Sequence, residues 1–208
     1  METQDQHLIK AQRHLARKDA VLKGLIRQVG PCTLRHDPDG FGVLVRSIVS
    51  QQISTKAALA IAERLRRSLG RGGIRPTSIL RTSDEVLRGA GMSANKVRCL
   101  RELAEKVHDK LLPLASFPDL EDEEVIEHLV ELRGIGRWTA EMFLIFALGR
   151  HDVLPHGDYG LKAGVQKQYA LAGLPDKKIL TELAEPWRPF RSIGTWFIWR
   201  SFGNVPQS

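Results

Sequence analysis

The chain has 208 residues, 42% apolar and 26% charged, which sets it among globular proteins able to bury a core and apart from disordered chains. Thirty-one Lys and Arg against 24 Asp and Glu give a formal charge of +7, suited to a polyanion such as nucleic acid or to a merely basic solvated surface. The longest apolar run, Met142 to Leu148, is far short of the ~20 residues that span a bilayer. The N-terminus METQDQHLIK lacks a signal-peptide core, so an intracellular protein is expected.

Helical periodicity runs through nearly the whole chain. Leu8, Ala11 and Leu15 begin one apolar stripe, and Leu22, Leu25, Ile26 and Val29 carry a second. Pro31 to Gly40 reads as a loop. Phe41 to Ser50 is a mainly apolar segment; its β-branched residues allow a strand, but the flanking helices and the absence of a partner strand favour a buried helix. Ser54 can cap a helix that ends near Leu69 before GRGG. Ser83 and Ser93 can cap the next two helices, DEVLRGAG and ANKVRCLRELAEKVHDK. Glu121 to Glu124 suit the positive end of a helix that stops at Arg133 or Gly134. Another begins near Trp138, and three more cover Asp158 to Ala170, Asp176 to Glu185 and Pro189 to Phe202. The fold class expected is all-α, with about ten helices. Cys32 and Cys99 lie too far apart for a CxxC site and are too few for an iron–sulfur cluster, so they read as reduced packing thiols.

The most informative segment is LVELRGIGRWTAEMF, Leu129 to Phe143. Gly134 and Gly136 bracket Ile135 between two helices. Glycine allows positive φ and close backbone approach, and a helix starting beside it offers N–H groups to a phosphate without reading bases. A tight structural turn is the bland alternative. Further on, VLPHGDYGLKAG (Val153 to Gly164) holds Asp158, which by itself reads as a helix N-cap.

Together these segments resemble the helix-hairpin-helix DNA glycosylase superfamily, which carries a Gly/Pro-rich loop and a catalytic aspartate. Leu44 to Leu65, Ala90 to Ala104 and Trp187 to Arg200 also match, in family order. The pattern is similar to the 3-methyladenine DNA glycosylase II type in a compact form. The resemblance implies two helical lobes, residues 37–152 with wedge and hairpin, and residues 1–36 plus 153–208, with a catalytic cleft between them. It implies a monofunctional enzyme that flips an alkylated base from duplex DNA and hydrolyses its N-glycosidic bond.

On this resemblance Asp158 is the catalytic carboxylate, and Trp138, Met142 and Trp199 fall at base-pocket positions. Met142 stands where some relatives have an aromatic ring, and Trp199 also reads as core beside Trp196. Gln52 matches an intercalating wedge, with Gln51 and Ser54 beside it, and Met92 and Ser93 could probe the opposite strand. The DNA contacts expected of the hairpin are Gly134, Ile135, Gly136, Arg137 and Thr139, with Lys162 as a phosphate contact. His156 could touch the sugar or stay a solvated loop histidine. Trp138 occupies the hairpin position at which lyase relatives carry a Schiff-base lysine, and no lysine lies between Val130 and His151. No cofactor is required and no side-chain metal site is expected. The backbone carbonyls of Val130, Leu132 and Ile135 could hold a monovalent cation. The partner expected is double-stranded DNA with a damaged base, bound by a monomer, with no membrane. The rivals are a glycosylase for another damaged or mismatched base, a non-catalytic hairpin DNA-binding module, and a helical protein-interaction scaffold.

Overall fold

Serine and aspartate side chains start most of the helices. The computed structural model describes residues 4–202, which form twelve α-helices, three short 3₁₀ turns and no strand. None of these helices is long and apolar enough to cross a membrane. The described chain divides into two compact units, residues 37–148 and residues 4–36 with 149–202.

The unit of residues 37–148 is built around α3 (Gly40–Ser50). Phe41, Val43, Leu44, Val45, Ile48 and Val49 of this helix are all buried. A helix buried at this many positions is packed over most of its surface, and its one charged residue, Arg46, pairs with Asp37 at 2.6 Å. Its neighbours are α4 (Thr55–Ser68), α7 (Ala94–His108) and α9 (Arg137–Phe146). Asp39 caps α3 by accepting from the Gly42 N–H at 3.0 Å. Ser54 caps α4 and Ser93 caps α7, each accepting a backbone N–H at 3.3 Å. Between them lie α5 (Pro76–Arg81) and α6 (Asp84–Gly89), the latter capped by Ser83. α8 (Asp122–Val130) begins with a capping box formed by Glu121 and Glu124.

The short α5 is absent from the sequence reading. Only Ile79 of its six residues is buried, so it shows no periodicity. It is held from outside. Arg101 on α7 donates to the carbonyls of Ile79 and Leu80 at 2.7 and 3.1 Å, satisfying the open C-terminal end of the helix.

The second unit joins both ends of the chain. It holds α1 (Gln4–Lys18), α2 (Ala20–Val29), α10 (Tyr159–Gln168), α11 (Lys177–Ala184) and α12 (Arg191–Ser201). Asp19 fastens the two parts. It caps α2 through the Leu22 N–H at 2.9 Å and accepts from the Tyr169 hydroxyl at 2.5 Å and the Trp187 indole at 2.9 Å. α10 and α12 touch closely at Gly164, where a Cβ would fall 2.4 Å from Ile198 Cγ2.

Residues 149–152, expected with the hairpin lobe, belong to this second unit instead. Ser192 Oγ donates to the Arg150 carbonyl at 2.8 Å, and the Ser192 N–H donates to the His151 carbonyl at 2.9 Å. Arg191 binds both carboxylate oxygens of Asp152, at 2.8 and 3.0 Å. These bonds tie the segment to α12. Both cysteines are free and buried, and burial raises each thiol to a pKa of about 11, which keeps them protonated and inert.

Candidate functional site

The hairpin lies between α8 and α9. Gly134 has φ of +79°, the left-handed region, and a Cβ there would come 3.3 Å from Cys99. Leu132 and Ile135, 2% and 4% exposed, pin the turn to the core. Arg133, Gly134 and Gly136 stay on the surface. Gly136 is the N-cap of α9 and supplies no side-chain acceptor. The first turn of α9 therefore presents backbone dipoles beside a surface that no Cβ covers.

Three of the hairpin residues expected as DNA contacts are engaged within the protein. Ile135 is a buried anchor, so only its backbone can face a ligand. The Thr139 hydroxyl, 1% exposed, accepts from Gln51 Nε2 at 2.9 Å. The Arg137 guanidinium pairs with two carboxylates, donating to Glu123 Oε2 at 2.9 Å and to the buried Glu141 Oε1 at 3.1 Å. These two anions neutralise the charge it would bring to a phosphate.

The segment after α3 makes a tight turn. Gln51 ends the helix, and its side chain points back to the hairpin, donating to the Gly134 carbonyl at 3.0 Å as well as to Thr139. Gln51 is thus a clamp on the hairpin. Gln52 is exposed and has φ of +57°. The left-handed region costs a residue with a Cβ about 1–2 kcal/mol, so neighbouring bonds must impose it. Ser54 Oγ is engaged as the cap of α4. Met92, 4% exposed, is a core side chain, whereas Ser93 is exposed and caps α7.

Sequence reasoning missed Lys96. Its ammonium donates to the carbonyls of Val49 and Gln51 at 2.7 and 2.9 Å, at the C-terminal end of α3. Partial burial lowers its pKa. It lies inside the matching segment Ala90 to Ala104, but nothing in that segment reveals its acceptors, which lie 45 and 47 residues away.

In the other unit, Asp158 starts α10. Its N–H donates to the Pro155 carbonyl at 2.9 Å, closing the loop before it. The carboxylate is 5% exposed. Its Oδ1 accepts from the Leu161 N–H at 2.5 Å and from Trp199 Nε1 at 2.8 Å. Trp199, expected in a pocket wall, is fully buried on α12 and acts here as a donor to the carboxylate. Trp187 and Trp196 are core residues. Met142 is also fully buried, one turn along α9 from the half-buried Trp138. His156 Nε2 lies 2.9 Å from the Thr181 hydroxyl, and Lys162 is half-buried one turn after Asp158. Among the described residues no group of three or more His, Cys, Asp or Glu is placed to hold a metal ion.

A glycine hairpin open at a helix N-terminus and a buried, doubly held aspartate after a Pro/Gly loop both lie within a family match. Residues 45–189 match the model of the HhH-GPD superfamily of base excision DNA repair proteins. The chain belongs to that superfamily. DNA-3-methyladenine glycosylase 1 of Schizosaccharomyces pombe is 36% identical over 200 residues, covering 93% of this chain and 87% of that protein. The solved structure of the S. pombe 3-methyladenine DNA glycosylase in complex with abasic DNA superposes with a TM-score of 0.84 at 33% identity, over 96% of this chain and 99% of that one. A DNA-3-methyladenine glycosidase from Bacillus halodurans gives a TM-score of 0.75 at 37% identity, over 93% and 89% of the two chains. For this HhH-GPD protein the matched span holds the hairpin, the Lys96-braced turn after α3 and the Asp158 loop.

Proposed function

We propose that this protein is a monofunctional DNA glycosylase of base excision repair. It takes an alkylated base of the 3-methyladenine type out of duplex DNA, hydrolyses its N-glycosidic bond and leaves an abasic site. The observation that carries this reading is the buried Asp158 carboxylate, held through Oδ1 by the Leu161 N–H and the Trp199 indole. The names of the S. pombe and B. halodurans relatives support the substrate class.

Breaking the bond leaves positive charge on the deoxyribose as the base departs with the electron pair of the C1′–N bond. A fixed anion beside the sugar stabilises that charge without having to reorganise. Water then adds its oxygen to C1′ and loses a proton, which the same carboxylate can orient or accept. An alkylated purine carrying positive charge is already a good leaving group and is attracted to an aromatic face such as that of Trp138. Trp138 stands where an amine nucleophile would be needed for a Schiff base, so strand cleavage does not follow base release.

The DNA is held through phosphates at the exposed Gly134–Gly136 hairpin, with Gln52 filling the space of the extruded base. Lys162 adds a phosphate contact. A monovalent cation at the carbonyls of Val130, Leu132 and Ile135 would supply positive charge facing a phosphate. What supports this reading is that the Leu132 carbonyl, which accepts the Ile135 N–H at 3.1 Å, has a second lone pair. The enzyme acts as a monomer.

The test is base release from methylated duplex DNA by wild type and Asp158→Asn, with and without alkali. Release by wild type, its loss in the variant, and strand breaks only after alkali are expected. Tight DNA binding without release of any base would overturn the assignment.

A further inference from the structure

We propose that Lys96 is a positioning residue for base extrusion, holding the Gln51–Gln52 turn in the shape that enters the duplex. The inference rests on the glycosylase reading above and concerns a residue outside the catalytic loop.

The argument starts at the end of α3. The last carbonyls of a helix lack intrahelical donors and carry its negative pole. The Lys96 ammonium caps them from α7, bonding Val49 at 2.7 Å and Gln51 at 2.9 Å. Its backbone is fixed in turn, since the Lys96 N–H donates to the Ser93 cap. Gln51 is therefore gripped twice. Its carbonyl accepts from Lys96, and its side-chain amide donates to Gly134 and Thr139 of the hairpin at 3.0 and 2.9 Å. The next residue, Gln52, holds a left-handed backbone that an unsupported chain would relax, with its side chain exposed. The brace thus joins α7, the end of α3 and the hairpin, and it makes the strained Gln52 turn the ground state of the free protein.

A wedge works by offsetting the cost of unstacking a base, and a turn that must first be ordered offsets less of it. Lys96 bears on extrusion, whereas the bond-breaking step belongs to Asp158. Its removal therefore matters most where extrusion is hardest. A lesion in a fully paired duplex should suffer strongly. The same lesion opposite a mismatched base, which leaves the stack more easily, should suffer little.

The experiment compares wild type, Lys96→Met and Lys96→Arg under single-turnover conditions on one alkylated base, once paired and once opposite a mismatch. For Lys96→Met the rate on the paired substrate is expected to fall about 10- to 100-fold, on the scale of a misplaced positioning group. The mismatched substrate should lose less than about 3-fold, and Lys96→Arg, which keeps donors and charge, should recover most of the loss. Fluorescence of a reporter base beside the lesion should show slower extrusion in Lys96→Met. Equal losses on both substrates, or no loss, would overturn the inference. If Lys96→Met does not fold, Lys96→Gln, which retains one donor, carries the same comparison of substrates. A wild-type protein that releases no base from either substrate refutes the glycosylase reading itself, an outcome distinct from a Lys96 variant that behaves as wild type.

Discussion

Asp158 caps α10 and, in the proposed mechanism, also acts on the transition state, and two substitutions separate these roles. As the cap of α10 it needs only an oxygen, while as a transition-state group it needs a charge. Asp158→Asn keeps an Oδ1 that can accept from the Leu161 N–H and from Trp199 Nε1, now at 2.5 and 2.8 Å. Its folding cost is the lost interaction of the anion with the helix dipole, about 1 kcal/mol. Asp158→Ala loses the cap, about 1 kcal/mol, and removes the Oδ1 that accepts the Trp199 indole N–H, in a side chain with 0% exposure, about 1–3 kcal/mol more. The sum is about 2–4 kcal/mol. For a chain of this size each kcal/mol lowers Tm by about 2–4 °C, so the alanine variant should melt roughly 5–15 °C below wild type and the asparagine variant within about 4 °C. Base release should fall in both, by about 10²–10⁴-fold, because both lack the anion. Thermal melts followed by circular dichroism, beside single-turnover base release from alkylated duplex, read the two effects separately. An asparagine variant within tenfold of wild-type activity would refute the electrostatic role. An alanine variant that melts with the asparagine variant would refute the structural one.

Gly134→Ala forces a Cβ onto a φ of +79° and to 3.3 Å from Cys99, so it should cost about 1–2 kcal/mol of stability and weaken duplex binding, measured by melts and by fluorescence anisotropy. Gly164→Ala places a Cβ 2.4 Å from Ile198 Cγ2, so α10 must shift from α12 and draw Asp158 away from Trp199; stability should fall by about 1–3 kcal/mol, with base release falling alongside. Normal melting and activity in that variant would contradict the close packing. His151 has its pKa lowered from 6.5 to about 4, by burial first and then by His7 and His36. The neutral ring is favoured in the folded state, so its contribution is complete above pH 6.5 and is lost as pH falls towards 4. Tm measured across that window should decline less steeply in His151→Phe, which keeps a ring against His7 at the present 4.0 Å stack.

Local features of the sequence account for most of the helices. Ser54, Ser83 and Ser93 are readable because an N-cap acts on a backbone N–H three residues on, inside the window in which a pattern is read. What escapes is structure imposed from a distance. The six residues of α5 bury one side chain and depend on Arg101, 22 residues downstream from Ile79. Residues 149–152 take their place from Arg191 and Ser192, about 40 residues later. Ile135 and Met92 read as DNA contacts because they sit in connections between helices. Both are buried, because a glycine-rich turn has no side chains of its own to pack and is held by the apolar residues beside the glycines.

The site divides along the same line, by what a residue must do. Asp158, the hairpin glycines and Trp138 stand in short motifs, since each is placed by the backbone immediately around it. Orientation is different. Trp199 is recognisable as an aromatic residue, and an aromatic residue can be read as pocket or core; neither reading anticipates that its one polar atom meets a carboxylate 41 positions earlier. Gln51 and Lys96 show the same limit, because the polar residues that look exposed after an apolar helix are those its open carbonyls and a neighbouring hairpin recruit. A buried donor or acceptor must find a partner, and that requirement is met in three dimensions with no regard for sequence separation. The groups that would do chemistry are thus legible one at a time. The groups that hold them become visible only when each buried polar atom is followed to its partner, as the Lys96 ammonium is followed to the carbonyls of Val49 and Gln51.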